Sequence, residues 1–176
     1  MEYTVNEDKS QIYVACLASY NNGCLSGEWI TPEDTKEKLQ AQIDVILKAS
    51  PEPDAEEWAI HDYDNFPNLG EYPDLDKVIE VVEAIKLHGV KAVEGFIEHF
   101  SLEDLEHFED AFHGTYDSFK EFAQDYADDT VEGLDSDGNS TLARYFDYDS
   151  FERDLSHDYI ESMADNYKVH IFNRNY

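Results

Sequence analysis

Positive charge is scarce in this chain. Its 176 residues contain 12 lysines and arginines against 41 aspartates and glutamates, which gives a formal net charge of −29. Nucleic acids and anionic membrane surfaces both attract cationic protein surface, so the composition excludes them as direct partners. Repulsion on this scale opposes compact structure, and we therefore expect the charge to be used in binding basic proteins or cations.

Cysteines and long apolar runs are scarce as well. The two cysteines, Cys16 and Cys24, form neither a metal-binding motif nor a disulfide framework. No apolar run approaches the roughly 20 residues that a membrane-spanning helix needs. The N-terminal stretch before Gln11 is polar and acidic, unlike a secretory signal. The sequence therefore predicts a cytoplasmic protein with reduced thiols and no membrane partner.

Recognisable catalytic and metal-binding motifs are missing too. The histidines form no His-Glu-x-x-His element, and there is neither a phosphate-binding glycine loop nor a serine nucleophile elbow. Residues 135–140 resemble a calcium loop, but Gly138 in the sixth position leaves Arg144 in the twelfth, and Asp135 in the first position leaves Phe146 there. Both registers lack the required acid. We therefore predict a protein that is not an enzyme and has no cofactor and no specific metal site.

What the chain does contain is an acidic segment rich in aromatic residues. Residues 98–165 carry 21 acidic side chains, three basic ones and twelve aromatic ones. Acidic tails that stay disordered are poor in aromatics. This segment is therefore predicted to bury a core and to face solvent with carboxylates, as a folded polyanion.

The first 65 residues show the patterns of strands and one helix. Residues 11–18 are rich in β-formers, and Asn22-Gly23 is a strong hairpin signal before a returning strand over 24–30. Thr31 followed by proline and two acids is typical of a helix start. With a further strand over 58–63, the pattern predicts a β-β-α-β unit.

Beyond residue 66 the apolar period becomes helical. Leu75 begins a stripe that predicts a helix ending at His88-Gly89, and a second helix follows over 90–100. A third helix is predicted from Ser101 to Gly114. Further helices are predicted from Ser118 and from residues 140–155, with a closing strand over 168–172.

The density of carboxylates leaves two functional interpretations open. Duplex DNA carries about one charge per 1.7 Å of its axis, so the net charge of −29 matches roughly 50 Å of duplex. Helical residues three or four apart lie about 5–6 Å from one another, so acids on one helix face form rows. The protein is either an imitation of a nucleic-acid backbone or an acidic chaperone that sequesters basic proteins.

Three separate blocks of the sequence resemble the ArdA antirestriction family. The first comprises Ile12-Tyr13-Val14-Ala15, Tyr20-Asn21-Asn22-Gly23 and Gly27-Glu28-Trp29. The second is Glu57-Trp58-Ala59-Ile60-His61-Asp62-Tyr63. The third is Tyr145-Phe146-Asp147-Tyr148, followed by Phe151 and Arg153-Asp154-Leu155. Their order and spacing agree with the family over about residues 11–172, nearly the whole chain.

The resemblance implies an α+β fold in which three small domains form an elongated chain. Residues 1–65 are expected to form an N-terminal α+β domain containing the β-β-α-β unit. Residues 66–100 are expected to form a small helical middle domain. Residues 101–176 are expected to form an acidic, mainly helical α+β C-terminal domain that carries a homodimer contact.

The function implied by the resemblance is a DNA mimic without catalytic activity. Members of the family are encoded on mobile genetic elements and act in the cytoplasm of the bacterial host. They occupy the DNA groove of type I restriction–modification enzymes, in the methyltransferase core, and block restriction and often modification. The runner-up interpretation remains an acidic chaperone or sequestering module for basic DNA-binding proteins.

Specific residues follow from this interpretation. The expected contact between two copies of the chain involves Leu142, Tyr145 and Phe146, within residues 133–146. The carboxylates expected to replace DNA phosphates are those of Glu98, Glu103, Glu106, Glu109, Asp110, Asp117, Glu121, Asp125, Asp128, Asp129, Glu132, Asp135, Asp137, Asp147 and Asp149.

Overall fold

A computed structural model describes residues 9–53, 55–135 and 140–176, and these form a mixed α/β structure with two three-stranded sheets. The chain divides into two compact units, Met1–Glu94 and Gly95–Tyr176, with the division inside one helix. The predicted division into three domains stays a prediction.

The first unit is built on an antiparallel sheet with the strand order β2-β1-β3. Along β1 the side chains of Ile12, Val14 and Cys16 are fully buried, and β-strand alternation puts all three on one face. The elements of this unit are β1 (Gln11–Cys16), α1 (Leu17–Asn21), β2 (Gly27–Ile30), α2 (Lys36–Lys48), β3 (Trp58–Asp64), α3 (Leu75–His88) and the first half of α4 (Val90–His99).

The predicted two-residue hairpin at Asn22-Gly23 is wrong. The chain forms the short helix α1 after β1, and the second strand begins only at Gly27. Gly23, with φ of 78°, ends this helix, and its N–H donates to the carbonyl of Tyr20 at 3.0 Å. The hydroxyls of Ser19 and Ser50 lie 2.7 Å apart and hold the helix against the unit. The Asn-Gly pair thus lies at the end of a helix, a position where a residue with positive φ is also favoured.

The helix predicted to follow a cap at Thr31 instead has Thr35 as its cap and begins at Lys36, four residues later than predicted. The side chain of Gln42 explains the delay, because it satisfies backbone groups of the preceding extended segment. Its amide donates to the carbonyl of Thr31 at 3.0 Å, and its oxygen accepts from the N–H of Glu33 at 3.3 Å. The later helix, α3, follows its predicted bounds, with the Asp74 side chain accepting from the N–H of Asp76.

The second unit contains an antiparallel sheet with the strand order β4-β6-β5. It therefore holds more strand than the mainly helical domain that we predicted. Short 3-10 helices at Leu102–His107 and Leu142–Arg144 and a turn at Asp165–Tyr167 link its larger elements. The larger elements are α5 (Phe108–Ala111), β4 (Phe112–Tyr116), α6 (Phe119–Thr130), α7 (Tyr148–Leu155), β5 (Tyr159–Met163) and β6 (Val169–Asn173).

Two helices predicted for this unit are wrong in extent. The stretch from Ser101 to Gly114 starts with the expected cap, since Ser101 Oγ accepts from the N–H of Glu103, but it ends in strand β4. Residues 112–116 form a strand because they pair with the distant strand β6, which lies more than 50 residues later in the chain. The helix predicted over 140–155 begins only at Tyr148, because Asp147 caps it.

Aromatic rings form the core of the second unit. Phe122 on α6 is 1% exposed, and its ring centroid lies 4.9 to 5.6 Å from those of Tyr116, Phe119, Tyr126 and Tyr159. A second group surrounds Phe172, which is fully buried; its members are Phe96, Phe100, Phe108 and Phe112. Tilted and edge-on ring pairs of this kind stabilise a core beyond the area that they bury.

Replacing Phe122 with alanine tests how much this aromatic core contributes to the stability of the protein. We expect Phe122→Ala to lower the free energy of unfolding by about 3–5 kcal/mol, because the cavity would lie among rigid rings. Urea denaturation measures the change. Met163→Ala, at a site that is 82% exposed, serves as the control and should shift stability by less than about 0.5 kcal/mol. Equal effects of the two variants would contradict this account of the core.

Candidate functional site

The start of α6 is fixed by a reciprocal cap. Ser118 Oγ accepts from the N–H of Glu121 at 3.2 Å, and Glu121 Oε2 accepts from the N–H of Asp117 at 2.6 Å. Two backbone donors that lack helical partners are satisfied in this way. The cap also holds the carboxylate of Glu121 in a defined place at the first turn.

The rest of α6 separates apolar from acidic side chains. Phe122, Ala123 and Ala127 are buried on its inner side. Its carboxylates lie on the other side, because the helical period carries each of them away from these three positions, and all of them except the half-buried Asp128 are exposed. The carboxylates of this outer face, which we call the α6 acidic row, belong to Glu121, Asp125, Asp128 and Asp129.

Most of the predicted phosphate-mimicking carboxylates lie at the surface. Among those in the described part of the chain, Asp128 and Asp135 are half-buried, and Asp137 lies outside the described residues. The exposed ones are Glu98, Glu103, Glu106, Glu109, Asp110, Asp117, Glu121, Asp125, Asp129, Glu132, Asp147 and Asp149.

The carboxylates of the α6 acidic row influence one another. The pKa of Asp125 is raised, first by partial burial and then by the charges of Glu121, Asp128 and Asp129. The pKa of the Tyr116 hydroxyl is raised by burial and by three of the same carboxylates. Like charges disfavour each further negative charge, so these shifts mark a region of concentrated negative potential.

Other predicted site residues have partners within the second unit. Lys168 Nζ lies 2.7 Å from Asp117 Oδ1, and Lys120 Nζ lies 3.6 Å from Asp149 Oδ1. Asp147 caps α7 by accepting from the backbone N–H and the hydroxyl of Ser150, and these bonds lower its pKa. These three carboxylates therefore have structural as well as surface roles.

The residues predicted for the dimer contact lie together after residue 140. Leu142 is 42% exposed and Tyr145 is 84% exposed. Phe146 is half-buried, with its ring centroid 4.8 Å from that of Tyr148 and 5.4 Å from that of Phe151. The structure thus places two large apolar side chains in solvent beside one that is anchored on α7.

Sequence reasoning missed one exposed feature of the second unit, the turn between β5 and β6. Met163 and Tyr167 lie at this turn and are both largely exposed. The β-formers Tyr159 and Ile160 before the turn-forming Asp165-Asn166 pair, followed by the predicted strand over 168–172, could have indicated the hairpin.

Over residues 9–53, 55–135 and 140–176, no group of three or more His, Cys, Asp and Glu side chains is placed to hold a metal ion. Within those same ranges, no helix is both long and apolar enough to cross a membrane.

The fold and the site define a folded polyanion, with acids displayed on an aromatic core. A family model described as antirestriction protein (ArdA) matches residues 12–169, nearly the whole chain. The chain therefore belongs to the ArdA antirestriction family, which confirms the resemblance found in the sequence. Membership implies an antirestriction function and interaction with type I restriction enzymes. A search of curated proteins finds no match.

Loss of the negative charge should change the stability of the fold in opposite directions at two aspartates of the site. The raised pKa of Asp125 means that its ionised form opposes folding, and this effect is fully present at neutral pH. The lowered pKa of Asp147 means that its ionised form favours folding, and this contribution is lost as pH falls through the folded-state pKa.

We therefore expect Asp125→Asn to raise the urea midpoint at neutral pH and Asp147→Ala to lower it. Both differences should shrink in acid, where the carboxyls are protonated in both states. Each variant removes one negative charge, so a general effect of net charge predicts shifts of the same sign. Shifts of the same sign would therefore refute the assignment of distinct environments.

Proposed function

We propose that this protein is a DNA mimic that occupies the DNA-binding groove of type I restriction–modification enzymes. It acts without catalysis, in the bacterial cytoplasm, and it blocks restriction and, through the methyltransferase core, modification. The observation that carries the proposal is the array of exposed carboxylates around α6, held on an aromatic core. Family membership supplies the kind of target.

Charge density supports imitation of a DNA backbone. A 12-residue helix such as α6 is about 18 Å long. One DNA strand carries a phosphate about every 3.4 Å, or about five over that length. The α6 acidic row supplies four carboxylates. It therefore approaches the charge of one strand, and the second strand requires acids from other elements of the unit, such as those at 103–110 and 147–149.

Rigidity supports the same proposal. A flexible acidic tail would lose conformational freedom when a basic groove bound it, and that loss would weaken binding. The acids of α6 are already fixed, because Phe122 packs against rings from β4, β5 and α6 itself. The reciprocal cap at Ser118 and Glu121 holds the first turn as well. Binding energy is then available for the ion pairs themselves.

We further propose that two copies of the chain associate through Leu142, Tyr145 and Phe146. Exposed aromatic and aliphatic side chains are typical of the centre of protein interfaces. Two copies would carry twice the net charge of one chain, which matches on the order of 100 Å of duplex. A homodimer would therefore cover a longer stretch of the DNA groove than one copy.

Competition against DNA tests the groove proposal. Increasing amounts of the protein should displace labelled duplex from a purified type I methyltransferase core, and the apparent affinity should fall as salt rises. If binding to the enzyme proves insensitive to both duplex and salt, groove occupation is excluded. Equal binding to basic proteins that lack a DNA groove would instead favour the acidic chaperone.

Matched charge variants sharpen this test. The triple variant Glu121→Gln, Asp125→Asn and Asp129→Asn should bind the enzyme about tenfold more weakly, because three exposed ion pairs contribute about 0.5 kcal/mol each. Asp34→Asn, Asp76→Asn and Glu80→Gln remove the same charge where lysines lie within 2.9 Å. This control should leave the affinity nearly unchanged. Equal losses would mean that total charge, not the α6 acidic row, is recognised.

Sedimentation tests the proposed dimer. The parent protein should sediment as a dimer at micromolar concentration, and Tyr145→Asp should shift it toward the monomer by placing a charge in an apolar contact. Tyr72→Asp changes another ring that is 67% exposed and should leave the dimer intact. A parent protein that is monomeric at this concentration would overturn the proposal.

A further inference from the structure

The hairpin of β5 and β6 ends in a turn with unusual backbone geometry. The N–H of Lys168 donates to the carbonyl of Asp165 at 3.3 Å, and the N–H of Ala164 donates to the carbonyl of Lys168 at 2.9 Å. The two central residues, Asn166 and Tyr167, have φ values of 58° and 63°. Hairpin turns of this geometry favour asparagine followed by glycine.

Tyrosine is therefore an unfavourable residue at the second central position. Bulky residues other than glycine rarely adopt positive φ. The Tyr167 side chain is 101% exposed and adds no packing to the described core, and Met163, at the end of β5, is 82% exposed. The ring at this position adds no packing that would stabilise the fold, whereas glycine would suit the backbone conformation of the turn better.

The turn lies next to the α6 acidic row. Lys168 Nζ lies 2.7 Å from Asp117 Oδ1, and Asp117 belongs to the reciprocal cap of α6. The neighbouring residue Val169 pairs with Tyr116 across the sheet. An exposed aromatic ring, the exposed carboxylate of Asp165 and the start of the α6 acidic row are thereby brought to one end of the unit.

We propose that Tyr167 is a recognition element for an arginine on the cationic surface that the α6 acidic row binds. A guanidinium group stacks on an aromatic face and pairs with carboxylates at the same time. The ring thereby adds a contact that simple charge attraction does not provide. This inference rests on the proposed function, since it concerns the same partner and the neighbouring surface.

Three substitutions at one position test the inference. Tyr167→Gly removes the ring and suits the turn, and Tyr167→Leu keeps apolar volume without a π face. Both should weaken binding to the methyltransferase core by roughly 5- to 30-fold, the range expected for a cation–π contact that loses water on binding. Tyr167→Phe keeps the π face and should bind within about twofold of the parent. Tyr72→Leu removes an exposed ring from the first unit and should bind like the parent.

Two further measurements distinguish loss of the ring contact from unfolding of the protein and from loss of charge attraction. The urea midpoint of Tyr167→Gly should equal or exceed that of the parent, so a loss of affinity cannot be ascribed to unfolding. The dependence of affinity on salt should stay like that of the parent in Tyr167→Gly, whereas the triple charge variant of α6 should reduce it.

Each remaining outcome has a distinct meaning. A parent protein that fails to displace DNA contradicts the proposed function itself. A parent that displaces DNA while Tyr167→Gly binds equally well overturns only this inference. Equal weakening by Tyr167→Gly and Tyr167→Phe overturns the ring contact with arginine. Dissociation of the dimer by Tyr167→Gly would show that the turn contacts a second copy, which also overturns it.

Discussion

The burial of aromatic rings is the interaction on which the acidic unit depends. Residues 95–176 carry 21 acids and five lysines and arginines. Two charges 4 Å apart in water repel by about 1 kcal/mol, and salt reduces this further. A buried aromatic side chain removes about 150–250 Å² from water and so contributes about 4–6 kcal/mol as an upper estimate. Burial of one such ring is therefore larger than the repulsion between two neighbouring carboxylates, as long as the carboxylates stay in solvent.

The elements predicted correctly from the sequence are those with strong local signals. Helix α3 has an apolar stripe, an aspartate cap and a terminal glycine, and α6 has Ser118 as its cap. The prediction failed where pairing partners lie far away in the chain. Phe112 pairs with Phe172 in the sheet, and nothing within its own segment distinguishes that arrangement from a helix. The hairpin predicted at Asn22-Gly23 is wrong for a different reason. A residue pair that tolerates positive φ suits the end of a helix as well as a hairpin turn.

The candidate site was predictable in kind but not in detail. Composition and period indicated that acids would lie outside and aromatics inside. Helical spacing accounts for the crowding of Asp125, because the charges near it belong to α6 itself. It could not indicate that Asp117 would pair with Lys168, because sheet β4-β6-β5 brings that distant lysine to the start of α6. The motifs of the family resemblance lie partly in the first sheet, where the rings of Tyr13 and Trp29 meet at 5.5 Å.

In the proposed function, the α6 acidic row takes the place of phosphates, and carboxylates offer no counterpart to the edges of the bases. Phosphate contacts position a protein on DNA but carry no information about sequence, which is read in the grooves. An inhibitor that presents only the backbone pattern would therefore be indifferent to the recognition sequence of its target. A restriction enzyme could change the site that it cuts and still bind such a surface. To avoid inhibition, the enzyme would have to lose basic side chains that it needs to bind DNA of any sequence.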